Sequence, residues 1–149
     1  MTDHERYMRV ALNEAELAAA QGEVPVGAVI VRGDEVIAQA HNIREQANDP
    51  TAHAEMLAIR MAAEKLGTRR LTDCTLYVTL EPCPMCAGAL VMANLSACYF
   101  GASDERQGCV ESIYALPSDP AFYHSVRCTG GLLEDECQAL LKTFFEARR

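Results

Sequence analysis

The sequence predicts a layered α/β domain built on a mixed β-sheet. Segments with apolar residues at helical spacing alternate with short β-rich runs, which is typical of helices packed on a sheet. Two of the β-rich runs are joined by the tight turn Gly33-Asp34, and such a hairpin introduces antiparallel pairing. The 149 residues fit one domain of ordinary size, so we expect a single domain over 1–149.

The first half of the chain predicts two helices around a hairpin. Residues 3–20 carry apolar side chains at every third or fourth position, and Gly22 ends that helix. The run from Val24 to Val31 is almost continuously apolar, as in a buried strand. The expected elements are a helix at 3–20, strands at 24–31 and 35–42, a loop at 48–51 and a helix at 53–66 that ends at Gly67.

The second half predicts three more strands, two helices and a long loop. Residues 102–122 contain acidic residues, glycine and two prolines, and long loops in compact domains are often functional. The expected elements are strands at 75–80, 97–101 and 125–129, with helices at 82–92 and 134–149. The apolar stripe of the last helix would consist of Leu133, Leu140, Leu141 and Phe144.

Composition excludes several classes of protein. Half of the residues are hydrophobic and 23% are charged, which excludes intrinsic disorder, collagen-like fibres and coiled coils. No apolar run reaches the length of a membrane span, and the charged start has no signal-peptide core. Seven cysteines, an odd number, favour a reducing compartment, so we expect a cytoplasmic protein without membrane contact. The net charge of −8 disfavours a broad phosphate-binding surface and leaves room for a local basic patch.

Two short segments carry the chemistry. His53-Ala54-Glu55 and Pro82-Cys83-Pro84-Met85-Cys86 reproduce the spacing H-x-E and P-C-x-x-C of zinc-dependent nucleobase deaminases. Cys83 and Cys86 are three residues apart, so their sulfurs share one face of a helix turn. Two thiolates and one imidazole provide three ligands for Zn²⁺. A structural site would take a fourth protein ligand, whereas a catalytic site keeps one position for water.

Glu55 is the candidate catalytic residue. Two residues of a helix lie about 200° apart, so His53 and Glu55 can share a site only where the helix begins, and we expect His53 in its first turn. A carboxylate next to metal-activated water can shuttle protons to the substrate and the leaving ammonia.

Each segment alone has a simpler explanation. A lone H-x-E is commonly a capping or surface pair, and a lone C-x-x-C can be a redox pair or half of a structural zinc knuckle. The conjunction of both segments favours the deaminase site. We expect the remaining cysteines to be small buried residues, with Cys109 in the long loop as the exposed one. They are Cys74, Cys98, Cys109, Cys128 and Cys137.

With these residues the chain resembles the cytidine deaminase superfamily and, more narrowly, the bacterial tRNA-specific adenosine deaminases. The likeness spans nearly the whole chain, including the segments 22–28, 41–42, 49–52, 76–81, 86–89 and 100–102. It implies a cytidine deaminase-like, three-layer α/β/α sandwich with a five-stranded mixed sheet. It also implies a homodimer that binds the anticodon arm of tRNA and hydrolyses adenosine to inosine at the wobble position.

The resemblance also implies residue roles. His53, Cys83 and Cys86 would hold zinc, and Glu55 would move protons. Asn42 and the Ala54 backbone would hold the flipped nucleoside, and Asp104 would contact the next nucleotide. Phe145, Arg148 and Arg149 would lie along the RNA.

Departures from the family pattern favour an alternative hypothesis. The loop segment 106–114 carries Glu111, and the segment 122–125 lacks an asparagine and a cation that the family has. Fewer RNA-facing cations would suit a deaminase of a free nucleobase or nucleoside such as guanine, cytosine or an adenine analogue. A zinc-bearing RNA-binding subunit without catalysis is a third hypothesis, which the presence of Glu55 disfavours.

Overall fold

A five-stranded sheet forms the middle layer of the structure, a computed structural model that describes residues 2–148. The elements are α1 (Asp3–Ala20), β1 (Gly27–Arg32), β2 (Glu35–His41), α2 (Arg44–Ala47), α3 (Ala54–Leu66), β3 (Cys74–Leu80), α4 (Pro84–Met92), β4 (Ala97–Ala102), a 3₁₀ turn (Leu116–Ser118), β5 (Arg127–Thr129) and α5 (Glu134–Glu146). The strand order is β2-β1-β3-β4-β5. β1 pairs antiparallel with β2 and β3, while β3, β4 and β5 run parallel. The mixed sheet confirms the predicted fold class.

Helices cover both faces of the sheet. Because successive strand residues point to opposite faces, Ile30 and Phe100 face the layer of α3 and α4, whereas Val29 and Tyr77 face the layer of α1 and α5. Each face therefore has its own apolar cluster, and the sheet separates the two.

Two glycines let helices approach the sheet backbone. A Cβ atom at Gly27 would collide with the Ala11 carbonyl of α1, and one at Gly101 would collide with the Cys137 sulfur of α5. The side-chain-free positions therefore fix how closely the first and last helices pack.

Several element boundaries differ from the sequence-based expectations. β1 starts at Gly27 rather than at residue 24, because Pro25 has no N–H and the Val26 N–H bonds to the Val24 carbonyl in a tight turn (2.8 Å). α4 starts at Pro84 rather than at residue 82, with Cys83 as its N-cap. β5 is also shorter than expected, and α5 ends at Glu146.

Two further expectations are corrected. Cys109 is 2% exposed, because its N–H donates to the Pro82 carbonyl (2.9 Å) and draws the loop inward. The short helix α2 was not expected, and the buried Glu23 carboxylate accepts hydrogen bonds from its Glu45 and Gln46 N–H groups. In the part of the chain that the structure describes, we find no helix with the length and apolar character to cross a membrane.

Candidate zinc centre and its surroundings

One edge of the sheet collects the chemically important segments. β3 and β4 are parallel, so both end at the same edge of the sheet. β1 is antiparallel to β2 and to β3, so β1 starts at this edge and β2 ends there. Asn42, Glu81 and Asp104 each follow a strand that ends at this edge. α3 and α4 begin at the same place, so their N-termini bring the metal-ligand candidates together.

Three ligand atoms converge between the N-termini of α3 and α4. His53 is the N-cap of α3, Cys83 is the N-cap of α4, and Cys86 lies in the first turn of α4. The His53 Nδ1 atom lies 3.6 Å from the Cys83 sulfur and 3.6 Å from the Cys86 sulfur. All three ligand atoms lie within 4.8 Å of one another, and this is the only such group of metal-binding side chains within residues 2–148.

These separations fit a tetrahedral zinc ion. With Zn–S near 2.3 Å and Zn–N near 2.0–2.1 Å, tetrahedral geometry sets the sulfur and nitrogen ligands about 3.6 Å apart. A hydrogen bond from the Cys86 thiol, supported by the His53 ring, lowers the pKa of Cys83 to about 4. The same hydrogen bond raises the pKa of Cys86, so the pair holds one proton that a zinc ion would displace on binding. Positive charge at the two helix N-termini also favours thiolate.

Glu55 lies beside this group, in the first turn of α3, and is 3% exposed. Burial raises the pKa of its carboxyl group to about 7. A group that titrates near neutral pH can both accept and donate a proton during a reaction. Placing His53 at the N-cap resolves the angular problem of the H-x-E spacing, because the cap residue is not yet on the helix.

Asn42 is tied to the start of α3. Its side chain is buried, and its Oδ1 atom accepts a hydrogen bond from the Ala54 N–H at 2.8 Å. The Ile43 N–H donates to the Ala52 carbonyl at 3.1 Å. The hydrogen bond from the Ala54 N–H thus orients the Asn42 side chain. The Nδ2 group of Asn42 remains available as a donor to another partner.

Similarity to known proteins identifies the family. The family model "Cytidine and deoxycytidylate deaminase zinc-binding region" matches residues 1–102. The tRNA-specific adenosine deaminase of Bacillus subtilis (strain 168) is 48% identical over 149 residues, which cover 100% of this chain and 92% of that protein. The chain belongs to the tRNA-specific adenosine deaminase family. It is a zinc-dependent deaminase, and its cofactor is Zn²⁺.

Solved structures agree with this assignment. A structure from a study of A-to-I editing by tRNA:A34 deaminases superposes with a TM-score of 0.88 at 46% identity, covering 91% of this chain and 99% of that one. A guanine deaminase from Nitrosomonas europaea superposes with a TM-score of 0.81 at 26% identity, covering 94% and 83% of the two chains. Both retain the fold of this deaminase, and the first has much the higher sequence identity.

The structure of this deaminase also reveals a residue that sequence reasoning gave no role. Glu81 precedes the zinc segment and is buried, with its carboxylate surrounded by N–H groups of the loop that contains Asp104. Burial acts to raise the pKa of Glu81, but hydrogen bonds from Ser112 and the loop backbone outweigh it and lower the pKa. The sequence signal was an acidic residue at the end of an apolar strand, a position where a charge requires a partner.

The remaining site candidates lie at the end of α5. Phe145 is 47% exposed. The Arg148 guanidinium lies 3.5 Å from the centroid of the Phe144 ring and donates to the Phe144 carbonyl at 3.2 Å. Arg149 lies outside the described residues. Because α5 covers the opposite sheet face from α3 and α4, the structure does not bring these residues into the zinc cluster.

Proposed function

We propose that the chain hydrolyses adenosine to inosine at the wobble position of tRNA. The observation that carries the proposal is the convergence of His53, Cys83 and Cys86 beside a buried Glu55. It occurs in a chain 48% identical, over its full length, to a tRNA-specific adenosine deaminase. The net charge of −8 disfavours binding of nucleic acid. The zinc-site geometry and the full-length similarity to a tRNA-specific deaminase are the stronger evidence.

In this proposal the zinc ligands are His53, Cys83 and Cys86. When bound there, zinc would supply Lewis-acid chemistry that lowers the pKa of water. The chain supplies three ligands from two helix N-termini, which stabilise the thiolates. The described residues offer no fourth His, Cys or acidic ligand in the cluster, and three protein ligands are typical of catalytic zinc.

Glu55 carries the protons of the reaction. Its carboxylate would accept one proton from the attacking water and deliver it to N1 of the adenine ring as the C6–O bond forms. It would then take the proton of the new C6 hydroxyl and pass it to N6 as the C6–N6 bond breaks, so adenosine and water give inosine and ammonia. Because the Glu55 pKa lies near 7, accepting and donating this proton are both accessible at neutral pH.

Asn42 and Ala54 hold the nucleoside. The Ala54 backbone fixes Oδ1 of Asn42 (2.8 Å), so the Nδ2 group is oriented as a donor toward the substrate. In this proposal Asn42 has two roles: its Oδ1 atom accepts a hydrogen bond from the first turn of α3, and its Nδ2 group recognises the nucleoside. Base flipping into such a pocket is the usual way for an enzyme to reach an atom of a stacked base.

The anticodon arm of tRNA is the proposed partner. Asp104, on the loop after β4, would contact the nucleotide next to the target. Phe145, Arg148 and Arg149 would lie along the RNA, with the exposed Phe145 ring available for stacking. Arg148 is held by Phe144, which lowers the entropy lost when it binds a phosphate.

The assembly and location are proposed on separate grounds. We propose a homodimer, which the exposed side chains Met61 and Met92 on α3 and α4 support, since large exposed apolar residues favour an interface. We propose a cytoplasmic location, supported by seven cysteines, none of which forms a disulfide. One domain over 1–149 is supported by a single sheet shared by both apolar clusters.

A free purine is the second candidate substrate. The fold is shared with a guanine deaminase at a TM-score of 0.81, and the loop segment 106–114 carries an acidic residue where RNA binding would favour cations. The sequence identity between this chain and the guanine deaminase is 26%, well below the 48% identity to the tRNA-specific relative. Wobble adenosine is therefore the preferred substrate.

Ammonia release separates the two candidates. The zinc-loaded protein is incubated with an arginine anticodon stem-loop RNA, and in parallel with free adenine, guanine, cytosine and their nucleosides. The proposal predicts turnover of the RNA and none of guanine. Turnover of a free base with inert RNA would contradict the tRNA assignment and leave the deaminase assignment intact. A Glu55→Ala protein serves as the blank.

A further inference from the structure

The Glu81 carboxylate is enclosed by the loop that follows β4. The residue is 2% exposed and lies between the end of β3 and Pro82. Both of its oxygens accept hydrogen bonds from the loop. The donors are the N–H groups of Asp104 (3.0 Å), Val110 (3.2 Å), Glu111 (2.8 Å) and Ser112 (2.9 Å), together with the Ser112 hydroxyl.

This arrangement makes the burial of a charge favourable. An ionised carboxylate is poorly tolerated in a protein interior unless its oxygens are hydrogen-bonded. The four N–H groups gain an acceptor that the irregular loop could not provide from its own backbone. Glu81 therefore organises a segment that has little regular secondary structure of its own.

Two neighbouring contacts fasten the same loop. A Cβ atom at Gly108 would collide with the Glu81 carboxyl group, so a glycine there allows the loop to close around it. The Cys109 N–H donates to the Pro82 carbonyl at 2.9 Å. The loop is thus attached at Glu81 and Pro82, the two residues that immediately precede the zinc-ligand candidate Cys83.

We propose that Glu81 is a positioning residue that holds the loop 104–112 in register with the zinc site, so that substrate binding depends on its carboxylate. The inference rests on the proposed function, because the loop carries Asp104, the residue assigned to the nucleotide beside the target. Glu81 itself contacts no substrate. It acts by fixing the loop before the RNA arrives, which removes an ordering cost from binding.

The test uses Glu81→Gln, which keeps the shape of the side chain but replaces one acceptor oxygen with a donor that faces the loop N–H groups. Glu35→Gln is the matched control, since it removes the same charge from an exposed side chain at the hairpin turn, at the opposite end of the strands from the zinc site. Three properties are measured for each protein. They are zinc content, kcat and KM for the anticodon stem-loop RNA, and the rate of trypsin cleavage after the exposed Arg106.

Glu81→Gln is expected to retain zinc and to keep kcat within about threefold, while KM rises about 10–100-fold. Trypsin cleavage after Arg106 should accelerate about tenfold or more, because the loop opens more often. Glu35→Gln should match the parent protein in all three measurements. A split between KM and kcat is the signature of loop positioning, since a general loss of stability would lower the active fraction and leave KM unchanged.

Two results would overturn the inference. One is a Glu81→Gln protein with parental KM and parental resistance to trypsin. The other is loss of zinc together with kcat, which would make Glu81 a support of α4 rather than of the loop. If Glu81→Gln does not fold, Ser112→Ala decides, because it removes one donor and keeps the backbone donors. It should raise KM and trypsin cleavage in the same direction, and parental values for both would reject the inference.

The trypsin assay is carried out without RNA and is independent of deaminase activity. If the parent protein does not turn over RNA, the proposed function fails, while the proteolysis of Glu81→Gln still reports whether its carboxylate holds the loop.

Discussion

Replacing Asn42 with alanine separates the structural role of this side chain from its substrate role. The change removes the acceptor of the buried Ala54 N–H, which lies 2.8 Å from Asn42 Oδ1. An unsatisfied buried N–H costs about 1–3 kcal/mol. For a chain of this length each kcal/mol lowers the melting temperature by about 2–4 °C, so we expect Asn42→Ala to melt about 2–12 °C lower than the parent protein.

Asn42→Asp provides the other half of this experiment. The carboxylate keeps an acceptor for the Ala54 N–H, and negative charge is favourable at the N-terminus of α3. The loss of stability should therefore stay below about 1 kcal/mol. The Nδ2 donor is gone, so kcat/KM for the RNA should fall about 10–100-fold, the value of one lost hydrogen bond in a buried site.

Thermal denaturation and RNA turnover are measured on both variants, with Asn13→Ala on the exposed face of α1 as the control. The reasoning is refuted if Asn42→Ala melts with the parent protein. It is equally refuted if Asn42→Asp turns over RNA at the parental rate.

Four other perturbations test separate parts of the structure. Glu55→Ala should keep its zinc, measured by metal analysis, and lose about 10²–10⁴-fold in kcat; near-parental turnover would reject the proton shuttle. Cys83→Ala should lose zinc and melt at a lower temperature, because metal binding contributes to folding, and full zinc occupancy would reject the ligand assignment. Gly101→Ala should destabilise the fold by about 1–3 kcal/mol in urea titration, whereas Gly88→Ala, with open space around the added methyl group, should be neutral or stabilising. Arg148→Ala should raise KM for RNA and reduce the salt slope of binding by about 0.7; an unchanged slope would exclude a phosphate contact there.

Local patterns were sufficient to predict the longer helices, the hairpin and the grouping of His53, Cys83 and Cys86. The helix over Asp3–Ala20 is predictable because apolar side chains recur at every third or fourth residue, once in each helical turn. The ligand set is predictable because His53 and the cysteine pair each lie in a short segment of fixed spacing, and the chemistry of zinc requires that they meet. No long-range information was needed to expect the two segments at helix starts.

The conformation of the loop 104–112 could not be predicted, because it depends on contacts between residues that are distant in the sequence. Glu81 contacts donors 23 to 31 residues away, and no local spacing indicates which loop will surround a buried carboxylate. The burial of Cys109 depends on another long-range contact, its hydrogen bond to the Pro82 carbonyl, so the expectation that it would be exposed was wrong. β5 has only three residues, and its existence depends on parallel pairing with β4 rather than on its own composition.

The proposed function is tested most directly by the product formed from an anticodon stem-loop RNA with adenosine at the wobble position. The reaction is run in heavy-oxygen water, and the digested RNA is examined by mass spectrometry. We predict inosine at the wobble position alone, with one oxygen atom from the solvent, and no inosine with Glu55→Ala. Unmodified RNA, from a zinc-loaded protein that releases ammonia from free guanine, would contradict the central claim.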